Sequence, residues 1–248
     1  MSTLFVSDVH LTEDAPERTE RFIRFLETRV PGHDLVVLGD LFDWWYGLPG
    51  QVPPDVARVT SLLRRANSVL WMEGNHDVHI GRAFPGSTPL GFAADPIDVE
   101  LAGRRMHLAH GDLVDRGEHS YRAFRALLRG LPGRFAAGLL GHRITRAVGG
   151  LAARRSRHLQ GGVDGYDGLS ERWLGCAKAY AAAQSADLTV LGHGHWLGWW
   201  PEGLICLGDW LVHDSYLRID PDGVMGLYRY VADGDRLLME EPAGSIAR

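Results

Sequence analysis

The segment Thr3-Leu4-Phe5-Val6-Ser7-Asp8-Val9-His10 sets the reading of the chain: a short apolar, strand-forming run breaks off into a polar Asp-x-His. The arrangement recurs at Asp34-Leu35-Val36-Val37-Leu38-Gly39-Asp40, and from about Pro16, between the two, Phe22, Ile23, Phe25, Leu26 and Val30 form a helical stripe. Strand, helix, strand in this order predicts a layered α/β fold. Further along, helical spacing at Val56, Val59, Leu62 and Leu63 precedes a strand at 68–72. Segments 97–101 and 104–109 predict a hairpin through Ala102-Gly103. A helix at about 169–184 leads to a strand at 187–191, and 204–207, 215–219, 224–230 and 236–239 read as a β meander.

With 248 residues, 45% hydrophobic and 23% charged, the chain can bury the core of one domain, 1–248, and is not of disordered composition. Its longest run without Asp, Glu, Lys or Arg, 188–201, is 14 residues, against the roughly 18 a bilayer span needs. The N-terminus has no basic n-region and its apolar run stops at Asp8, so a cytoplasmic chain without a cleaved signal is expected. A net charge of −5 argues against nucleic acid as partner. Cys176 and Cys206 fit no metal or redox spacing. One segment stands apart: 119–163 holds nine Arg and no acid, with Tyr121, Phe124, Leu128, Leu131, Phe135 and Leu139 at helical spacing. It reads as a helical insertion broken at Pro132-Gly133 and again at Gly149-Gly150.

Five polar motifs each follow an apolar strand: Asp8-Val9-His10, Gly39-Asp40-Leu41-Phe42-Asp43, Gly74-Asn75-His76-Asp77, His110-Gly111-Asp112 and Gly192-His193-Gly194-His195. Ligands of open α/β sheets bind beyond the carboxyl ends of the strands, which places all five on one rim. Seven donors result: Asp8, His10, Asp40, Asn75, His110, His193 and His195. That is too many for one tetrahedral zinc and suits two ions sharing a carboxylate, with no thiolate to favour a soft metal. Two such ions can activate water for an in-line displacement at phosphorus. A docking scaffold free of catalysis would have no chemical need for so many ligands.

In this order, from residue 8 to 195, the motifs resemble those of the calcineurin-like metallophosphoesterases. The resemblance implies a four-layer αββα sandwich with a helical cap inserted at about 118–160. It implies two divalent ions, Mn²⁺ foremost with Fe or Zn compatible. Asp8, His10 and His195 would hold the first, Asn75, His110 and His193 the second, and Asp40 would bridge. His76 would be the catalytic imidazole and Asp43 the carboxylate that orients it.

Within that superfamily Leu4 to Leu11, Gly39 to Trp45 and His110-Gly111-Asp112 followed by Tyr121-Arg122-Ala123-Phe124-Arg125 are similar to the UDP-2,3-diacylglucosamine hydrolases of lipid A biosynthesis. The resemblance implies release of UMP from a UDP-linked glycolipid, peripheral on the inner face of the inner membrane, with the cap holding acyl chains. Trp45, Tyr121, Phe124, Arg125 and Arg157 are the expected substrate contacts, and an apolar, Arg-rich cap suits an anionic membrane surface. The best-known members carry Arg where this chain has His76; G-N-H-D is the general superfamily pattern, which keeps another nucleotide or lipid phosphate as the alternative substrate. His79 and His213 are expected to be structural.

Overall fold

Strand β1 (Thr3–Val6) runs parallel to β2 (Asp34–Leu38), with Phe5 opposite Val36. All of β1 and all but the first residue of β2 are buried, which is why both read as unbroken apolar runs: each sheet face is covered. The structure is a computed structural model that describes residues 1–85, 90–94, 96–159 and 167–241, with side chains in parts of the helices at 142–159 and 167–170 outside the description.

β4 (Val69–Met72) and β6 (Leu90–Ala93) extend the parallel part of this sheet, and β12 (Ser215–Ile219), β13 (Met225–Arg229) and β14 (Arg236–Glu240) add an antiparallel meander on its other side. The second sheet has β8 (Arg104–Ala109), β9 (Leu188–Leu191) and β11 (Leu204–Leu207) parallel at its centre. β7 (Ile97–Leu101) and β10 (Leu197–Trp200) are its antiparallel edges. The β7–β8 turn is the expected one, with positive φ at both Ala102 and Gly103 as a two-residue hairpin turn requires.

Alternate residues of β1 and β2 point to opposite sides. Leu4, Val6, Leu35 and Val37 meet Phe22, Phe25 and Leu26 of helix α1 (Pro16–Thr28) and Val56, Val59 and Leu63 of α2 (Pro54–Leu63). Both helices begin at a proline, whose missing N–H is no loss there. Phe5, Val36 and Leu38 face Met106, Leu108, Val190 and Ile205 across the gap between the sheets. Ala109, Leu191 and Leu204 pack on Trp173, Ala177 and Ala181 of α5 (Asp167–Ala182). Helix, sheet, sheet, helix is the layering the resemblance implies. Each fully buried Leu or Phe contributes about 1.5–3 kcal/mol, so these layers fix the strand ends rigidly.

The inserted segment forms α3 (His119–Arg129) and α4 (Leu131–Leu159). Its breaks differ from the expected ones. The chain turns at Gly130, and Pro132 sits in the first turn of α4, where proline is tolerated; the second break is at Gly141, with φ +72°. Gly149 remains helical because α4 there lies against the Trp44 indole, and a Cβ would collide with it. The foot of the cap is a small cluster of Tyr46, Leu48, Val78 and Ala137, with Leu128 beside it. Tyr46 and Val78 belong to a short parallel pair, β3 (Trp45–Tyr46) and β5 (Asp77–Val78), which hydrophobic patterning does not foresee. β6 and β10 were likewise not expected.

Candidate metal centre

Every one of the seven donors lies in a loop just beyond a strand end: Asp8 and His10 after β1, Asp40 after β2, Asn75 after β4, His110 after β8, and His193 and His195 after β9. Asp8, His10, Asp40, His193 and His195 have φ between +50° and +62°. This left-handed conformation costs a non-glycine residue roughly 1–3 kcal/mol and persists only where the surroundings impose it. Here it turns the side chains off the strand direction and toward one another.

Asp8 Oδ1 lies 3.6 Å from His195 Nε2 and 3.9 Å from His10 Nε2. Asp40 Oδ2 lies 3.8 Å from His10 Nε2 and 3.5 Å from His110 Nε2, so this carboxylate stands between two groups of donors. One group is Asp8, His10 and His195, and another Asp40, His110 and His193. Asn75 Oδ1 is 2.9 Å from both His110 Nε2 and His193 Nδ1.

Two observations test whether these residues fit metal ions. Asp8 Oδ2 receives the Ser7 hydroxyl and the His193 N–H, whereas its buried Oδ1, facing two imidazoles, has no hydrogen-bond partner among the described residues. Donors about 2 Å from a common ion stand about 3–4 Å apart, as these do. His110 Nδ1 faces the Leu38 carbonyl at 2.8 Å and must donate to it, which leaves Nε2 as a lone pair in the neutral ring. That lone pair meets the Asn75 oxygen, an arrangement that calls for a cation or a proton between them. Without an ion the proton stays: burial pulls the His110 imidazole down, but Asp40 outweighs it and pushes His110 up to about 10. Burial, with the neighbouring His110, takes His193 down to about 3. The cluster fits divalent ions.

Main-chain and carboxylate contacts position the donors. Asp77 is fully buried and accepts the N–H groups of Asp40, Leu41 and Gly74, tying the second and third motifs together. Gly74 has no room for a Cβ, which would meet Asp40. His195 Nδ1 donates to Asp209 at 3.2 Å, fixing the tautomer that aims Nε2 at Asp8. His213 donates to the same carboxylate. Asp77 stands inside a motif but looks inert in sequence; Asp209 follows β11 as the donors follow their strands, and that position is the signal that could have found it.

His76 Nδ1 donates to the main-chain carbonyl of Asp43, which leaves Nε2 open. The Asp43 carboxylate, expected to orient His76, lies within 4.8 Å of a ring nitrogen of both His76 and His10, and stands 3.9 Å from His10 Nδ1. One correction concerns Trp45. It is 2% exposed and packed on Phe42, Trp71 and Phe84, since pairing of β3 with β5 turns it into the core. Trp44 is the indole beside His76, 6.4 Å between ring centres.

Tyr121 and Arg125 both reach the Asp112 carboxylate, each at 2.6 Å, so they bind the His110 loop in this structure. Phe124, also on α3, is 55% exposed. With Leu127, Leu131, Phe135, Leu139 and Ile144 it gives the cap a run of exposed apolar side chains. The Arg157 side chain lies outside the described residues. Among the described residues no helix is long and apolar enough to cross a membrane. His79, expected to be structural, hydrogen-bonds the Arg129 carbonyl at the end of α3.

A family model described as calcineurin-like phosphoesterase matches residues 1–197. The chain is 33% identical over 241 residues to the UDP-2,3-diacylglucosamine hydrolase of Xanthomonas axonopodis pv. citri (strain 306), covering 90% of this chain and 97% of that protein. It is 33% identical over 239 residues to the enzyme of the same name from Stenotrophomonas maltophilia (strain K279a), covering 90% and 96%. Among solved structures, vacuolar protein sorting 29 from Cryptosporidium parvum is similar over 97% of both chains, with 15% identity and a TM-score of 0.48.

Proposed function

Because the chain belongs to the calcineurin-like phosphoesterase family and is a metal-dependent hydrolase, we propose that it cleaves the diphosphate of UDP-2,3-diacylglucosamine to UMP and 2,3-diacylglucosamine 1-phosphate. The observation that carries this reading is the cap: a surface of exposed apolar side chains on α3 and α4, with α3 itself bonded to the His110 loop through Tyr121 and Arg125. Such a surface suits acyl chains and, with the arginines of the insertion, the anionic inner face of a membrane.

Asp8, His10 and His195 would hold one ion, Asn75, His110 and His193 a second, and Asp40 both; the donor set accepts Mn²⁺, and Fe or Zn as well. When bound, such ions supply Lewis acidity at the phosphoryl oxygens and a nucleophilic water near neutral pH. The protein's own part is placement and proton transfer. His76, held through Nδ1 by the Asp43 carbonyl and through its N–H by Asp40 Oδ1, presents Nε2 to stabilise charge on the phosphoryl group or to protonate the departing phosphate. Trp44 lies beside it to pack against substrate.

The test is product analysis with UDP-2,3-diacylglucosamine in detergent micelles beside an aryl phosphodiester. UMP and the acylated sugar phosphate are expected. His76, where the best-known hydrolases carry Arg, favours a second reading, hydrolysis of another nucleotide or lipid phosphate; an inert glycolipid beside a consumed aryl diester would select it.

A further inference from the structure

Helix α3 carries Tyr121, Arg125 and Arg129 at four-residue spacing, so the three share one face. Tyr121 and Arg125 go to Asp112, two residues beyond His110. Arg129 goes elsewhere. Its Nη2 donates to the Gly74 carbonyl at 2.7 Å, and its Nη1 lies 2.9 Å from both the Ala94 carbonyl and Glu73 Oε2. Both members of the ion pair are deeply set, with side chains 12% and 7% exposed. The helix end is tied back where His79 Nε2 meets the Arg129 carbonyl and the Tyr46 hydroxyl meets that of Leu128. These contacts converge on the two residues that precede Asn75.

We propose that Arg129, paired with Glu73, is a positioning residue for Asn75: by spanning the Gly74 and Ala94 carbonyls it sets the loop that aims the Asn75 oxygen at His110 and His193. The cap helix is then part of the scaffold of the second metal site as well as a cover for substrate. A guanidinium suits this role because its planar fork holds two acceptors at a fixed spacing, which a lysine ammonium does not do. The inference rests on the two-ion reading above.

The experiment is calorimetric titration of the metal-free full chain with Mn²⁺, together with unfolding temperatures, for the parent, Arg129→Met, Arg129→Lys and the surface control Arg58→Met. The parent and the control are expected to bind two equivalents alike. Arg129→Met is expected to weaken one equivalent about tenfold or more and leave the other, the size seen when a group supporting a metal ligand is removed. Excess Mn²⁺ should then restore its kcat. Arg129→Lys, which keeps the charge opposite Glu73, should fall between. A lowered melting temperature with both affinities unchanged, or equal weakening of both, would overturn the proposal. If Arg129→Met fails to fold, Arg129→Lys decides by the same criterion. A parent that binds fewer than two equivalents removes the two-ion reading itself, whereas two equivalents with an inert glycolipid removes only the substrate.

Discussion

The carboxylate of Asp77 receives the main-chain N–H of Asp40 at 3.0 Å, across 37 residues of sequence, and holds that donor in its left-handed conformation. The other Asp77 oxygen takes the Leu41 N–H at 2.8 Å. Asp77→Asn can satisfy one of these sides but turns an amide N–H₂ toward the other. One buried N–H loses its acceptor, at a cost of about 1–3 kcal/mol. Differential scanning calorimetry is expected to show a lower melting temperature for metal-free Asp77→Asn, and Mn²⁺ titration a weaker site. An unchanged melting temperature would mean that the loop is held without this carboxylate.

His76→Ala and Asp209→Ala should separate turnover from metal binding. Loss of His76 removes a proton-transfer group, for which a fall in kcat of about 10²–10⁴ is expected with Mn²⁺ affinity close to the parent's. Loss of Asp209 frees the His195 ring, so affinity should drop about 10–100-fold while kcat at saturating metal stays near the parent's. Steady-state kinetics across a Mn²⁺ series reads both. If the two variants behave alike, the division of roles between them is wrong.

Phe135 and Leu139 are 71% and 73% exposed, so replacing both by Ser should leave the melting temperature within about a degree while weakening sedimentation with vesicles containing anionic lipid. KM for the glycolipid should rise and hydrolysis of the aryl phosphodiester should not change. Point variants are the right tool here, because deleting 118–160 would strip Tyr121 and Arg125 from the buried Asp112. Unaltered vesicle binding would remove the cap as the lipid-facing surface.

A pH effect is expected far from the centre. Burial raises the Asp235 carboxyl, but hydrogen bonds from Arg29 and Tyr216 outweigh it and hold the group below the ordinary carboxylate range. A depressed folded-state value gives stabilisation that is complete above the unfolded value of about 3.9 and is lost as pH falls through the lower folded value. The difference in melting temperature between the parent and Asp235→Asn should therefore be constant from pH 7 to about 5 and close below about 4. A difference that instead closes on the alkaline side would contradict the assignment.

Much of this protein is written in short stretches. The strands that carry the centre could be read because two covered faces demand continuous apolar residues, and the seven donors because each interrupts such a run at its end. The helices α1 and α2 follow from their stripes and their opening prolines. Four strands went unread: β3 and β5 have two residues each, and β6 and β10 carry glycines that blur the pattern.

What only the tertiary structure decided is which partner each polar group takes. Sequence puts Asp43 three residues from Asp40, and nothing local says that its main-chain carbonyl meets His76 Nδ1. Trp44 and Trp45 are neighbours, yet one stands by the His76 imidazole and the other in the core, because strand pairing at β3 assigns their faces. Arg129 reads as one more arginine of a basic helix until folding brings Glu73 and Gly74 to it from more than 50 residues away. Residue type and spacing determine local conformation and the chemistry available; pairings between distant groups depend on how the layers pack, and packing is a property of the whole chain.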